Sequence, residues 1–246
     1  MFVEYDLVFA KQAYCFQTNK GRVSATQKGI DMAKNKWILF VRSNLTLAPD
    51  CIYQYLNSLE LISPVALMGH IVYRSPDRIF TNYLNNIKRG INSYKHHSKI
   101  PFKFLLFGNC LIQAKAFQNI KLNNFLKYYG GEELDFSEKL NQSFPNKIMS
   151  CQLSIASRNN HPAFEQHCLR LIEFGKYNFN YLSQINKQHI LGGSNLLKSL
   201  FLNLNLANIT LSLCTKLYKW ELPYINYYII RLGLFAAILV GIKQTR

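Results

Sequence analysis

WILFVRSNLTLAPD, residues 37–50, combines three signals that together indicate a ligand-binding sheet. Five apolar residues, Trp37 to Val41, form a continuous run that is typical of a strand buried on both faces. The polar triplet Arg42-Ser43-Asn44 follows directly, and Pro49-Asp50 then marks the start of a helix. The stretch therefore predicts a packed strand whose carboxyl end presents polar side chains.

Strand and helix signals alternate along most of the chain. Apolar runs indicate further strands at residues 2–10, 65–73, 104–113 and 147–156. Apolar residues at helical spacing indicate helices at residues 23–34, 50–59, 79–87, 132–140 and 163–175. This alternation favours an α/β fold, a sheet flanked by helices, in which ligands bind at the carboxyl ends of the strands.

Residues 128–137, YYGGEELDFS, place two glycines before two adjacent carboxylates. The glycines allow a sharp turn, and the acids then open a helix. Glu132 and Glu133 have two interpretations that the residues leave open. Acids are favoured at a helix start by the exposed N–H groups and the helix dipole. Alternatively, one carboxylate is a general base that accepts a proton from an attacking hydroxyl.

The amino-acid composition of the chain limits the classes of ligand that we expect it to bind. The 246 residues include 29 Lys and Arg against 13 Asp and Glu, a net charge of +16. Such a balance attracts phosphorylated small molecules, anionic lipid or nucleic acid. The basic residues are scattered, without an arginine-rich run or a zinc-finger pattern, so we expect no nucleic-acid partner. Six cysteines without a C-x-x-C pair indicate free thiols in a reducing compartment.

The character of the sequence changes near residue 184. We expect a partial catalytic domain at residues 1–183 and a C-terminal apolar helical segment at residues 184–246. Residues 224–242 are nearly uncharged apart from Arg231. The stretch is marginal for a spanning helix, so a helix lying in the membrane interface is the better membrane form. The alternative is a helical subdomain packed on the sheet. Tyrosines and a tryptophan resemble an interfacial belt: Tyr218, Trp220, Tyr224, Tyr227 and Tyr228.

The order of these motifs resembles that of family 2 glycosyltransferases, which have the GT-A fold, a Rossmann-like mixed sheet. Residues 19–30 are similar to the family's N-x-G turn and following helix. Residues 37–50 are similar to its strand, acidic metal motif and L-x-P-D. Residues 107–110, followed by 130–135, resemble the acceptor-side strand and the G-G-E-D base motif. His161-Pro162 resembles a His-Pro element of some members.

The chain also departs from the family pattern. The family's D-x-D-like motif holds Mg²⁺ or Mn²⁺, whereas this chain has Arg42-Ser43-Asn44. Asn44 offers a metal one neutral oxygen, and Arg42 repels a cation but is able to pair with a diphosphate. Only twenty residues precede Gly21, so the resemblance implies that the amino-terminal donor-binding strand is missing.

The resemblance implies a sugar transfer from a nucleotide-sugar donor to a cell-surface glycan or lipid-linked acceptor, at the cytoplasmic face of a membrane. The alternative is an inactive remnant that binds a membrane or a partner. The resemblance implies that Glu133 is the base, and that Glu132 lies beside it or pairs with a cation. The acceptor side is expected at Gly108, Asn109, Gly130 and Gly131. The donor diphosphate is expected at Arg22, Arg42, Ser43, Asn44, Arg158 and His161, although Arg158 and His161 also fit an ordinary loop.

Overall fold

The computed structural model describes Thr18 and residues 21–192, 206–222 and 224–245. The strand predicted at residues 2–10 lies outside this part of the chain, as do Asn19 and Lys20 of the predicted turn. The described strands are β1 (Trp37–Val41), β2 (Thr46–Leu47), β3 (Ala66–Tyr73), β4 (Asn109–Gln113) and β5 (Ile148–Arg158).

Helices surround these strands and agree with the predicted alternation. The first seven are α1 (Arg22–Met32), α2 (Cys51–Leu61), α3 (Arg78–Leu84), α4 (Ala116–Asn119), α5 (Glu132–Ser143), α6 (Phe164–Tyr177) and α7 (Gln184–Leu191). After residues 193–205 the described chain continues with α8 (Leu206–Leu217) and α9 (Asn226–Lys243). Short 3₁₀ turns lie at Gly90–Ser93, Phe102–Phe104, Phe179–Tyr181 and Tyr218–Trp220. One of them shortens the strand predicted at 104–113, which begins only at Asn109.

The described strands form one mixed sheet in the order β1-β4-β3-β5-β2. β3 and β5 are parallel, and the other neighbours are antiparallel. The predicted class, a mixed α/β sheet flanked by helices with a C-terminal apolar helix, is confirmed. The carboxyl ends of β1, β3 and β5 lie at the same edge of the sheet, which is where the sequence places its polar triplet.

The apolar strand β1 has apolar neighbours on both faces, but its residues are not buried as the sequence predicts. Ile38 and Phe40 pack on the main core, and Trp37 and Leu39 pack on a second apolar cluster. Burial is nevertheless incomplete, and Val41 is exposed. Within the described residues β1 pairs only with β4, so its other side borders an open cleft.

The C-terminal helix α9 belongs to the main core. Leu239, Val240 and Ile242 join the same apolar cluster as Ala66 of β3 and Ile112 of β4. Among the described helices, α9 alone is long and apolar enough to span a membrane, although a core helix meets the same criterion. This packing agrees with the alternative of helices packed on the sheet. The domain boundary expected between residues 183 and 184 stays a prediction.

Two glycines set the distance between α6 and α9. A Cβ atom on Gly241 would lie 2.1 Å from the Ile172 carbonyl oxygen, and one on Gly175 would lie 2.3 Å from the Ile238 carbonyl oxygen. Real Cβ atoms do not approach backbone so closely, so the helices touch only because both positions lack a side chain.

We expect Gly241→Ala to lower the free energy of unfolding by about 1–3 kcal/mol, because the added methyl group forces the helices apart. Gly29→Ala in α1 is the matched control, since a Cβ there meets nothing within 4 Å. Alanine favours a helix by up to about 1 kcal/mol over glycine, so the control should be neutral or stabilising. Urea unfolding measures both. Equal effects of the two changes would contradict the close crossing.

Candidate functional site

A cleft of about 750 Å³ opens beside the carboxyl end of β1. Its walls are β1, one face of α1 and the start of α5. The polar and charged side chains that line it are Arg22, Thr26, Arg42, Ser43, Asn44, Tyr129, Glu132, Glu133, Arg158 and Arg170. The polar triplet and the two helix-start acids, which lie about ninety positions apart in the chain, therefore share one cavity.

The polar triplet crosses the edge of the sheet from β1 toward β5. The Arg42 amide donates to the Gly108 carbonyl at 3.2 Å, and the Leu45 amide closes a turn on the Arg42 carbonyl at 2.9 Å. The chain then enters β2, where Thr46 pairs with Ser157 of β5. This path brings Asn44 to Arg158. With its amide oxygen turned toward Arg158, Asn44 accepts hydrogen bonds from Nε at 3.3 Å and Nη2 at 3.2 Å.

The glycine pair aims the acids of α5 into the cleft. Gly130 and Gly131 have φ angles of +81° and +96°, a region that side chains strongly disfavour. Cβ atoms at these positions would also press on the Phe174 ring, at 3.3 and 3.0 Å. The turn is fixed by Asn178, whose Nδ2 donates to the Gly130 carbonyl at 2.7 Å. The glycines are turn-forming residues that pack on α6, and neither of them lines the cleft.

Each acid of the helix start is paired with an arginine. Glu133 forms an ion pair with Arg42, and Glu132 forms one with Arg22, the first residue of α1. The Glu133 side chain is 13% exposed and the Glu132 side chain only 3%. Both interpretations of these acids are therefore compatible with the geometry: they open α5, and they face the cleft.

Glu132 is the more constrained of the two acids. Burial raises the pKa of Glu132, the adjacent Glu133 raises it further, and Arg22 acts in the opposite direction. The Oε2 atom of Glu132 is buried and has no hydrogen-bond partner. In the second ion pair, the Glu133 carboxylate raises the pKa of Arg42 above its usual range. Arg42 therefore remains charged near neutral pH.

Arginine charge exceeds carboxylate charge in the cleft. Arg22, Arg42, Arg158 and Arg170 face two glutamates, which leaves an excess of two positive charges. Burial lowers the pKa of Arg158, and Arg42 and Arg170 add to that effect. A group of cations held this close together is stabilised by an anion that bridges them.

Sequence reasoning missed Arg170 and Tyr129. The Tyr129 ring lies between two guanidinium groups, with Arg22 at 5.5 Å and Arg170 at 5.7 Å from its centroid. Arg170 is on α6, and only the packing of α6 on the glycine turn brings it to the cleft. Tyr129 directly precedes the glycine pair, so its position next to the predicted base motif was the one available signal.

Asn109, predicted on the acceptor side, lies instead in the core. It is completely buried, and its Nδ2 donates to the carbonyls of His70 at 3.1 Å and Ser154 at 2.9 Å. Those carbonyls flank the irregularity at which the β3–β5 register shifts, after Gly69. Its Oδ1 accepts from the Tyr55 hydroxyl at 3.0 Å. Both ends of the Asn109 amide are thus occupied by buried partners, so the side chain is not available to an acceptor sugar.

The other predicted acceptor residue in this part of the chain, Gly108, directly precedes β4 and contributes through its backbone. Its carbonyl holds the Arg42 amide, and a Cβ atom there would lie 3.0 Å from Ile71. Gly108 is buried and does not line the cleft. Gly108 therefore supports the position of Arg42 through its backbone carbonyl.

His161 also lies away from the cleft. It is 5% exposed and packs edge-on against the rings of Tyr73 and Phe80, at 5.2 and 5.5 Å between centroids. Its Nδ1 lies 2.8 Å from the Pro162 carbonyl. Burial lowers the pKa of His161 to about 4, so the ring is neutral near pH 7. A neutral, enclosed ring is not a diphosphate ligand, and this prediction is corrected.

The side chains of the cleft do not fit Mg²⁺ or Mn²⁺. These cations require several carboxylate or carbonyl oxygens. Both carboxylates here are occupied by arginines, and the Asn44 oxygen faces Arg158. Across residues 21–192, 206–222 and 224–245, no group of three or more His, Cys, Asp and Glu side chains is placed to hold a metal.

No protein-family model and no curated protein matches the chain. Among solved structures, the chain is similar to a mycobacterial protein, with 13% identity and a TM-score of 0.41, over 66% of this chain and 51% of that one. It is also similar to the crystal structure of S. aureus TarS 1-349, with 11% identity and a TM-score of 0.45, over 92% of this chain and 72% of that one. The chain thus spans about half the length of the first of these structures.

The buried His161 predicts a loss of stability on acidification. Its folded-state pKa of about 4 lies below the ordinary value of about 6.5. Stability is therefore fully present above pH ~6.5 and falls as the pH drops toward 4, since the unfolded chain takes up a proton that the folded chain refuses. One such group contributes a slope of up to about 1.4 kcal/mol per pH unit in that window.

We expect His161→Asn to reduce this slope by about one proton in denaturant titrations at pH 6.5 to 4.5, because Asn retains a donor for Pro162 but does not titrate there. Tyr73→Phe is the control, because it keeps the ring that packs on His161. A variant slope equal to that of the parent would show that His161 is charged when folded.

Proposed function

We propose that the chain is a glycosyltransferase of the family 2 kind, which moves a sugar from a nucleotide-sugar donor to a glycan or lipid-linked acceptor. One observation carries the proposal. The first turn of α5 faces a cleft in which Glu132 and Glu133 meet an excess of arginines. Side chains from three of the stretches that resemble the family, residues 19–30, 37–50 and 130–135, thus line one connected cavity, which holds two carboxylates and a set of arginines.

The arginines of the cleft are proposed to bind the donor diphosphate. Guanidinium groups pair with phosphate oxygens in bidentate geometry and stay charged at all relevant pH values. The excess of two positive charges matches a diphosphate that carries about two negative charges where it bridges nucleoside and sugar. In this proposal Arg42, Arg158 and Arg170 supply the charge neutralisation that a divalent cation supplies elsewhere.

Glu133 is the proposed base, and Arg42 controls its availability. Without ligand, Arg42 holds the Glu133 carboxylate. A bound diphosphate competes for Arg42 and leaves Glu133 with a free oxygen lone pair. Glu133 then takes the proton of the acceptor hydroxyl, and the acceptor oxygen bonds to the anomeric carbon. The bond from that carbon to the diphosphate oxygen breaks, and its electron pair leaves with the nucleoside diphosphate, which the arginines stabilise.

An inactive remnant is the second candidate. Its support is that both acids are already neutralised by arginines, an arrangement that also suits a purely structural link between β1, α1 and α5. In that case the cleft binds no donor, and the protein acts through its surface, on a membrane or on a partner protein. For either candidate we propose a location at the cytoplasmic face of a membrane and no nucleic-acid partner.

Arg158→Gln and Arg170→Gln should each weaken the binding of nucleoside diphosphates about 10- to 100-fold, the loss expected for one charged hydrogen-bonding group. Calorimetry with inorganic pyrophosphate and a panel of nucleoside diphosphates measures this. Arg78→Gln is the control, because Arg78 is exposed and pairs with Glu221 outside the cleft. Binding that is absent in the parent, or equally weak in all three variants, would favour the remnant.

Glu133→Gln should reduce sugar transfer by about 10²–10⁴-fold, the usual contribution of a general base. Diphosphate binding should be retained or become tighter, because the anion no longer competes with the Glu133 carboxylate for Arg42. Glu60→Gln, an exposed acid on α2 outside the cleft, is the control and should have parental turnover. Removal of divalent metal with a chelator should change neither activity nor binding. Unchanged transfer in Glu133→Gln would exclude Glu133 as the base, and a chelator-sensitive reaction would contradict the arginine site.

A further inference from the structure

The connection between α8 and α9 carries a concentration of large exposed apolar side chains. Trp220, Tyr224, Ile225, Tyr228 and Leu232 are between 44% and 93% exposed. We call these five residues the aromatic corner. None of them lines the cleft described above, so the proposed sugar transfer gives them no role.

The aromatic corner is held in place by buried neighbours. Asn226 Nδ2 donates to the Tyr218 carbonyl at 3.1 Å, which ties the start of α9 to the end of α8. The Tyr218 ring is buried against Phe164, at 4.7 Å between centroids. Tyr224 has a φ angle of +64° and is the most exposed residue of the corner, at 93%. The corner thus presents large rings to solvent, and desolvating those rings is favourable only against a partner.

One face of α9 packs in the apolar core, and another face carries part of the aromatic corner. Ile230, Ala237 and Leu239 are buried in the two apolar clusters. Ile225, Tyr228 and Leu232, spaced three and four residues apart, are exposed. Such spacing gives one stripe on a helix surface. Since α6 covers the other side of α9 through Gly241, the stripe is the surface on which a partner can lie.

The chemistry of the corner fits the surface of an anionic lipid bilayer. Trp and Tyr have an apolar ring and a polar tip, and they favour the level of the lipid headgroups. The charged side chains around the corner are Arg78, Lys216, Lys219 and Arg231, against Glu165 and Glu221. That excess of cations, on a chain of net charge +16, is complementary to anionic headgroups.

A second copy of the chain fits this surface less well. A two-fold contact would place the same basic side chains of both copies against each other, which costs energy in a desolvated interface. We propose that the aromatic corner inserts its rings into the interface of an anionic membrane, with the neighbouring basic side chains on the headgroups. This site is independent of the cleft, so a failure of the proposed sugar transfer leaves it unaffected.

Co-sedimentation of the full chain with vesicles tests the site. The probes are vesicles of phosphatidylcholine alone and of phosphatidylcholine with phosphatidylglycerol. We expect the parent to bind the anionic vesicles, and the triple variant Trp220→Ser, Tyr224→Ser, Tyr228→Ser to bind at least about tenfold more weakly, because the inserted apolar area is lost. The three side chains are exposed, so the variant should fold, and urea unfolding verifies this.

A matched control distinguishes binding through the aromatic corner from nonspecific apolar adsorption and from attraction by the net charge. The triple variant Leu61→Ser, Ile87→Ser, Phe125→Ser removes apolar side chains that are 66–74% exposed elsewhere on the surface, and it should bind like the parent. Equal binding by both triple variants, or no binding by the parent, overturns the proposal. A corner variant that converts a parental dimer to a monomer without vesicle binding also overturns it, in favour of a contact between copies.

Discussion

The ion pair between Arg42 and Glu133 is the contact on which the cleft depends. It joins the end of β1 to the first turn of α5, two elements 91 positions apart. Two charges that are mostly withdrawn from water are costly unless each has a partner, and removing one leaves the other unpaired. The pair therefore fixes the distance between the sheet edge and the glycine turn, and it keeps both groups in the cavity in the absence of a ligand.

The sequence predicted the longer strands and most of the longer helices of the sheet region, and the two ends of this contact, because those depend on local signals. It did not predict the short elements β2 and α4, nor α7 and α8 as separate helices. An apolar run, a polar triplet and a glycine pair before two acids are each visible within ten residues. The roles of Asn109 and His161 were not predictable in this way. The Asn109 side chain donates hydrogen bonds to carbonyls at the bulge between β3 and β5. No pattern in the sequence of β4 indicates these contacts. His161 is enclosed by Tyr73 and Phe80, which are distant in sequence. Arg170 reaches the cleft only through the packing of α6.

The C-terminal helix shows why hydropathy alone was ambiguous. A core helix and a membrane helix are equally apolar, and what separates them is the partner that covers each face. In α9 the small residue Gly241 allows a backbone approach to α6, and Leu239 and Val240 join the core of the sheet. The same helix leaves Tyr228 and Leu232 uncovered. The inner face of α9 thus agrees with the alternative of helices packed on the sheet, and the membrane contact of its outer face stays a proposal.

Arg42-Ser43-Asn44 lies where the resemblance to family 2 glycosyltransferases predicts an acidic metal motif, and an arginine there makes the site more positive than carboxylates would. Two carboxylates with a divalent cation sum to zero charge and depend on the supply of that cation. Arginines are permanently positive and mutually repulsive, so without a ligand they need fixed counter-charges to remain together. Glu132 and Glu133 provide these through Arg22 and Arg42. The acids therefore act on the empty cleft by holding the arginines in position. In the proposed reaction, an arriving dianion displaces Glu133 from Arg42 and so frees the Glu133 carboxylate to act as the base.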